Sequence, residues 1–202
     1  MLKLKIGLMV VLSVLWAGTV WAGKKAPVPK TGQTTSYDAT NPARDDGAVQ
    51  KGVTLPPRRF TDTGKGTITD NLTGLIWLKN ANCQNSLNGD NWQGALDAVA
   101  DLNTSGTMNG QDCGDTSGKS GSHRTDWRLP NIRELLSLVD YGQVNLALPN
   151  GHPFSDFQPF YWSSTTSAIN AAFAWVVNFF GGFVGDNDKT NGFGFVTAVR
   201  GP

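Results

Sequence analysis

Histidine and cysteine are scarce in this chain of 202 residues, with two of each. Two histidines, His123 and His152, both in Gly- or Pro-rich surroundings, leave little from which to build a nucleophile, base and acid triad. No HExxH or nucleophile-elbow context accompanies either of them, so no catalytic residue is assigned and the chain is read as non-catalytic. Charge of one sign is also lacking. Lys plus Arg number 17 against 16 for Asp plus Glu, which excludes a strongly basic nucleic-acid binder. At 39% hydrophobic residues the chain has enough for a core, so wholesale disorder is excluded as well.

The longest apolar run lies at the N-terminus. Lys3 and Lys5 precede Ile6 to Val20, and Val20-Trp21-Ala22 ends in the small residue that a signal peptidase reads. Residues 1–22 are predicted to be a secretory signal peptide, since the run is shorter than the ~20 residues of a membrane span. No span is expected after cleavage, and the mature chain is expected to be secreted or periplasmic. Export suits the cysteines. Cys83 and Cys113 would pair in an oxidising compartment, closing a loop worth roughly 3–4 kcal/mol. A redox pair or metal site is the alternative, but there is no CxxC spacing and no nearby histidine.

Residues 23–58, with Lys24, Lys25, Pro27, Pro29 and Pro56-Pro57, read as an extended linker or tether. Tyr37-Asp38 and Val53-Thr54-Leu55 are its candidates for docking onto the folded domain. From residue 59 to 202 the pattern becomes that of one α+β domain. Gly66 to Asp70, the turn Asp70-Asn71-Leu72-Thr73-Gly74 and the run Leu75 to Leu78 read as a β-hairpin. Trp92, Ala95, Leu96, Val99 and Leu102 mark a helix over 91–103. Residues 103–125 read as a long loop stapled by Cys113. Asn131 followed by Glu134 predicts a capping box opening a second helix that ends near 140–142. Tyr161 to Thr165, Ala172 to Phe180 and Gly194 to Arg200 read as three strands of an antiparallel sheet.

Phe60-Thr61-Asp62, the stretch Thr69 to Trp77, Asp126-Trp127-Arg128-Leu129-Pro130 with Arg133-Glu134-Leu135, Tyr161 to Thr166, and Val199-Arg200-Gly201 together resemble the Lcl C-terminal domain family. The family is named for the terminal domain of a Legionella collagen-like adhesin. The resemblance implies a C-type-lectin-like fold, related to formylglycine-generating enzymes, with an antiparallel sheet, two helices, long loops and one disulfide. In the adhesin it implies homo-oligomerisation and binding of sulfated glycans. This chain has no Gly-X-Y repeat to enforce a trimer, and it lacks the Glu-Pro-Asn, Gln-Pro-Asp and Trp-Asn-Asp signatures of calcium lectins. Fold analogy alone does not assign lectin activity.

The residues offer several sites. Gly64-Lys65-Gly66-Thr67 reads as a turn rather than a phosphate loop. Asp186-Asn187-Asp188, Asp62 with Asp70, and Asp112 with Asp115 carry the hard oxygens that calcium takes, yet such acids are the usual formers of solvated turns. No metal and no cofactor are assigned. Trp77, Trp92, Trp127, Trp162 and Trp175 are expected in the core. Phe179, Phe180 and Phe183 around Gly181-Gly182, with Asp186, Asn187, Asp188 and Lys189 beside them, form the preferred ligand-binding loop, one of the first two phenylalanines facing inward. Lys119, His123 and Arg124 are the nearest approach to a polyanion site. Arg128 is expected to bond loop carbonyls, Asp126 or Glu134. The function expected is adhesion or recognition at the bacterial cell envelope, with a glycan or protein ligand. An enzyme accessory related by fold to sulfatase-modifying proteins, or a structural envelope subunit, are the alternatives.

Overall fold

Three short strands open the domain because turn residues interrupt every apolar run. In a computed structural model that describes residues 28–114 and 123–201, these are β1 (Phe60–Asp62), β2 (Thr67–Asp70) and β3 (Ile76–Leu78). Thr67 pairs with Leu78 and Phe60 with Asp70, so the expected hairpin forms and gains an outer strand. A small hairpin, β4 (Thr107–Met108) and β5 (Gln111–Asp112), follows, and then β6 (Phe160–Thr166), β7 (Phe173–Asn178), β8 (Phe183–Asp188) and β9 (Val199–Arg200). The sheets are antiparallel, in the orders β1-β2-β3-β9, β4-β5 and β6-β7-β8. With the helices this is an α+β fold with one disulfide, Cys83–Cys113. The predicted signal peptide lies outside the described residues.

The helices begin and end on local chemistry. After the single turn α1 (Asp46–Val49), α2 spans Trp92–Ser105. Asn91 caps it by accepting from the Gly94 amide at 2.8 Å, and Gly106 ends it at φ 79°, a left-handed conformation that suits glycine. Its buried stripe is Ala95, Ala98, Val99 and Leu102. The expected capping box is present at α3 (Ile132–Ser137): Asn131 accepts from Glu134 N, and Glu134 accepts from Asn131 N. This helix is shorter than expected, stopping at Ser137, after which Leu138 and Val139 turn into the core.

Two apolar clusters lie on the two faces of the β6-β7 pair. Tyr161 stands opposite Val177 and joins Leu135, Leu138, Trp77 and Phe179; Trp162 stands opposite Val176 and joins Ala95, Leu102 and the disulfide. Each large side chain so buried stabilises by roughly 1.5–3 kcal/mol. Gly194 is required where it is, since a Cβ there would lie 2.4 Å from the Trp162 indole.

Three expectations are corrected. The segment 103–125 is not a continuous loop, because α2 runs on to Ser105 and β4-β5 fold back behind it. Residues 194–200 do not simply join the third sheet: Phe195 bridges Tyr161, whereas β9 pairs with β3, so the segment stitches the two larger sheets together. Residues 183–188, read as a loop, form β8. Their run of Gly, Asp and Asn carries turn chemistry, but pairing with β7 supplies the ladder that the composition does not advertise.

The segment 28–58 is held at several points. Lys30 N donates to Val53 O and Val53 N to Val28 O around a Pro29–Val53 bridge, and Tyr141 N donates to Thr31 O at 2.8 Å. Tyr37, expected to dock, is instead 79% exposed.

Candidate functional site

The structure gathers five of the residues singled out in the sequence, Phe183, Asp186, Asn187, Asp188 and Lys189, onto one edge strand and the turn after it, but gives them different work. Phe183 is 67% exposed and Phe180 59%, on either side of Gly181-Gly182, while Phe179 is fully buried among Phe157 and Tyr161. The inward-facing phenylalanine is therefore Phe179, which drops out as a ligand contact. Gly182, at φ 77°, closes the hairpin against Val139 and Tyr141. Tyr141 and Val184 are also exposed, so an apolar patch forms around the β7-β8 hairpin end. Tyr141 was not legible in the sequence because it lies in a separate element, which the Asn145 N to Phe180 O and Ala147 N to Phe179 O bonds help bring alongside; Val184 directly follows Phe183 in β8.

The polar residues divide at Asp186. Its side chain is exposed, opposite Trp175 in the register. Asn187 is turned to its own loop, its Oδ1 accepting from Asn191 Nδ2 at 2.6 Å and from the Asp188 amide at 2.9 Å. Asp188 accepts from the Thr190 amide and hydroxyl, which hold its carboxyl below the usual 3.8. Lys189 Nζ stands 3.9 Å over the Trp92 ring and donates to Thr166 Oγ1 at 2.8 Å. Asn187, Asp188 and Lys189 thus make the bonds that build the turn and seat it on Trp92. Trp92 is half-buried and donates to Ser163 O; Trp77, Trp127 and Trp162 are core residues as expected.

The other candidates fall elsewhere. Lys119 and Asp115 lie outside the described residues. Arg124 is exposed, and His123 Nε2 is 2.9 Å from Asn103 O. The oxygens of Asp62 and Asp70 do not converge on a cation site: Asp62 pairs with Lys79 at 2.7 Å, and Asp70 is buried against Arg59. Among the described residues no group of three His, Cys, Asp or Glu is placed to hold a metal. His152 rests near Phe154 and Phe157, where burial keeps its pKa below the ordinary 6.5.

An open groove of about 530 Å³ lies between α2 and the start of α3, lined by Leu96, Asn103, Trp127, Arg128, Glu134 and Ser164 among others. Its charged groups are committed to each other. Arg128 grips Glu134 with two bonds of 2.5 and 2.7 Å, and Asn103 bonds both the amide and the carbonyl of Trp127. The Arg128-Glu134 pairing expected from the sequence therefore fixes the capping box and offers no unpaired charge to a ligand.

The sequence matches the family model described as the Lcl C-terminal domain over residues 66–200, two thirds of the chain. No curated protein matches it.

Proposed function

Because the chain belongs to the Lcl C-terminal domain family, we propose that it is a secreted, non-catalytic binding and adhesion module of the bacterial cell envelope. In this reading the domain is C-type-lectin-like, residues 23–58 are its tether, and it needs neither metal nor cofactor. The observation that carries the assignment of the contact face is the pair of exposed rings, Phe180 and Phe183, on a hairpin whose neighbours Tyr141 and Val184 are exposed too. Such rings stack on the apolar faces of sugars or fill pockets of a protein partner, and a rimmed apolar patch on a soluble domain marks an interaction surface. The structural disulfide suits an oxidising compartment. Among the described residues no helix is long and apolar enough to cross a membrane.

The test is a glycan array and heparin-binding screen of the purified, oxidised protein at two salt concentrations, with the Phe180→Ser/Phe183→Ser variant alongside. Saturable binding lost in that variant supports the hairpin as the contact face. Binding that survives there but falls in Lys119→Ala/Arg124→Ala moves the site to the polyanion loop. Absence of binding to every glycan removes the glycan ligand.

A further inference from the structure

β8 is the outer strand of its sheet, and one half of its outward edge is open. In an antiparallel ladder alternate residues turn their N–H and C=O away from the partner strand. Lys189 N donates to Ala172 O, which sets the bonded register along the pair. The residues facing outward are therefore Val184, Asp186 and Asp188. Asp188 is already satisfied, its amide by Asn187 Oδ1 and its carbonyl by the Asn191 amide, and the Trp92 amide covers the Lys189 carbonyl just beyond. Val184 and Asp186 have no such cover among the described residues. Their two amides and two carbonyls point to solvent from a strand whose first four residues are all exposed.

Natural sheets cap, twist or charge such edges unless something pairs with them. Here the C-terminal half is capped by the Asn187 side chain and the Asn191 and Trp92 amides, and the N-terminal half is left unpaired beside the exposed Phe183. We propose that the Val184–Asp186 edge is a strand-addition site for an extended polypeptide of another protein, carrying a cationic side chain opposite Asp186 and an apolar one opposite Val184. This goes beyond the glycan reading, because it assigns a ligand of different chemistry to the backbone edge rather than to the aromatic tip.

The charges select the occupant. Val184, Asp186 and Asp188 share one face, and no cation is paired with Asp186 or Asp188 among the described residues. A second copy docking edge to edge would gather four carboxylates in one short ladder, and like charges across strands are unfavourable. A segment reading basic, any, apolar in antiparallel register answers both side chains. Its middle residue would stand opposite Gly185, where a Cβ meets nothing within 4 Å, so a bulky side chain fits there next to Phe183. Backbone bonds supply the affinity and the alternate side chains the selectivity.

The experiment is amide hydrogen exchange on the full, oxidised protein with a synthetic Thr-Lys-Tyr-Val-Thr peptide, blocked at both ends, at up to millimolar concentration. The expected result is slowing of the Val184 and Asp186 amides by about tenfold or more at saturation, and loss of that protection when the valine of the peptide is N-methylated. Replacing the peptide's lysine by glutamate, or Asp186→Lys in the protein, is expected to weaken binding by about tenfold. Four results overturn the proposal: no protection at millimolar peptide, binding that leaves these two amides exchanging freely, indifference to N-methylation, or protection that rises with protein concentration alone and so marks a second copy. A glycan that binds while the peptide does not leaves the adhesion reading standing and removes this one; the reverse result separates them in the other direction.

Discussion

Arg59 and Asp70 form an ion pair with side chains only 6% and 0% exposed, at 3.1 Å, and Arg59 donates in addition to the carbonyl of Ser137. Asp70 uses its remaining capacity on the Leu72 amide and the Thr73 hydroxyl, shaping the turn between β2 and β3. One pair thus ties the entry of the domain to its first hairpin and to the end of α3.

Breaking the pair on one side strands a buried charge. Asp70→Asn is expected to lower stability by about 3–5 kcal/mol, read as a fall in the urea midpoint without a change of slope. Replacing both partners by apolar residues is expected to recover much of that loss.

The Cys83–Cys113 bridge joins the residues before α2 to the end of the β4-β5 hairpin. Reduction, or the Cys83→Ser/Cys113→Ser variant, is expected to cost roughly 3–4 kcal/mol through the enlarged unfolded ensemble. Denaturation with and without a thiol reductant measures it, and an unchanged midpoint would show that the bridge is dispensable.

The exposed rings separate function from stability. Phe180→Ser/Phe183→Ser removes apolar surface that packs only partly in the folded state, so the unfolding free energy is expected to change by no more than about 0.5 kcal/mol. Phe179→Ser, one position earlier, is expected to cost about 3–5 kcal/mol because its ring is fully buried. The contrast between neighbours checks the facing of the hairpin.

Acid should act in two stages. His152 is held neutral by burial, below 6.5, so its contribution to stability is complete above that pH and is lost as pH falls through the lower folded value. His152→Phe is expected to erase this first decline. Asp62, through the Lys79 ammonium, and Asp188, through the Thr190 amide, are held below 3.8, and Asp38 is brought to about 2 by the Thr40 amide. Their contributions persist above the ordinary value and disappear as pH drops through the folded ones. Unfolding midpoints across the acid range would show both stages.

Local signals carried far in this chain. The Asn131-Glu134 capping box, the β2-β3 hairpin, the Arg128-Glu134 pairing and the cysteine bridge are each decided by residues close in sequence or by the scarcity of alternatives. β8 was not legible, because Phe183 to Asp188 holds the residues of a turn and becomes a strand only by pairing with β7. The contact patch was half legible: the Phe-Phe-Gly-Gly-Phe run announces exposed aromatics, but which ring faces in is set by the cluster around Phe157 and Tyr161.

By itself, the sequence determined the fold class, the helix starts, the bridge and the family pattern, since these depend on periodicity, capping and spacing along the chain. Only the tertiary structure decided that Asn187, Asp188 and Lys189 are spent on their own turn and on Trp92, that Tyr141 joins the hairpin patch, and that Val184 and Asp186 keep an open edge. Those outcomes depend on which hydrogen-bonding groups find partners across space, and a partner elsewhere in the chain leaves no mark on the local residue pattern.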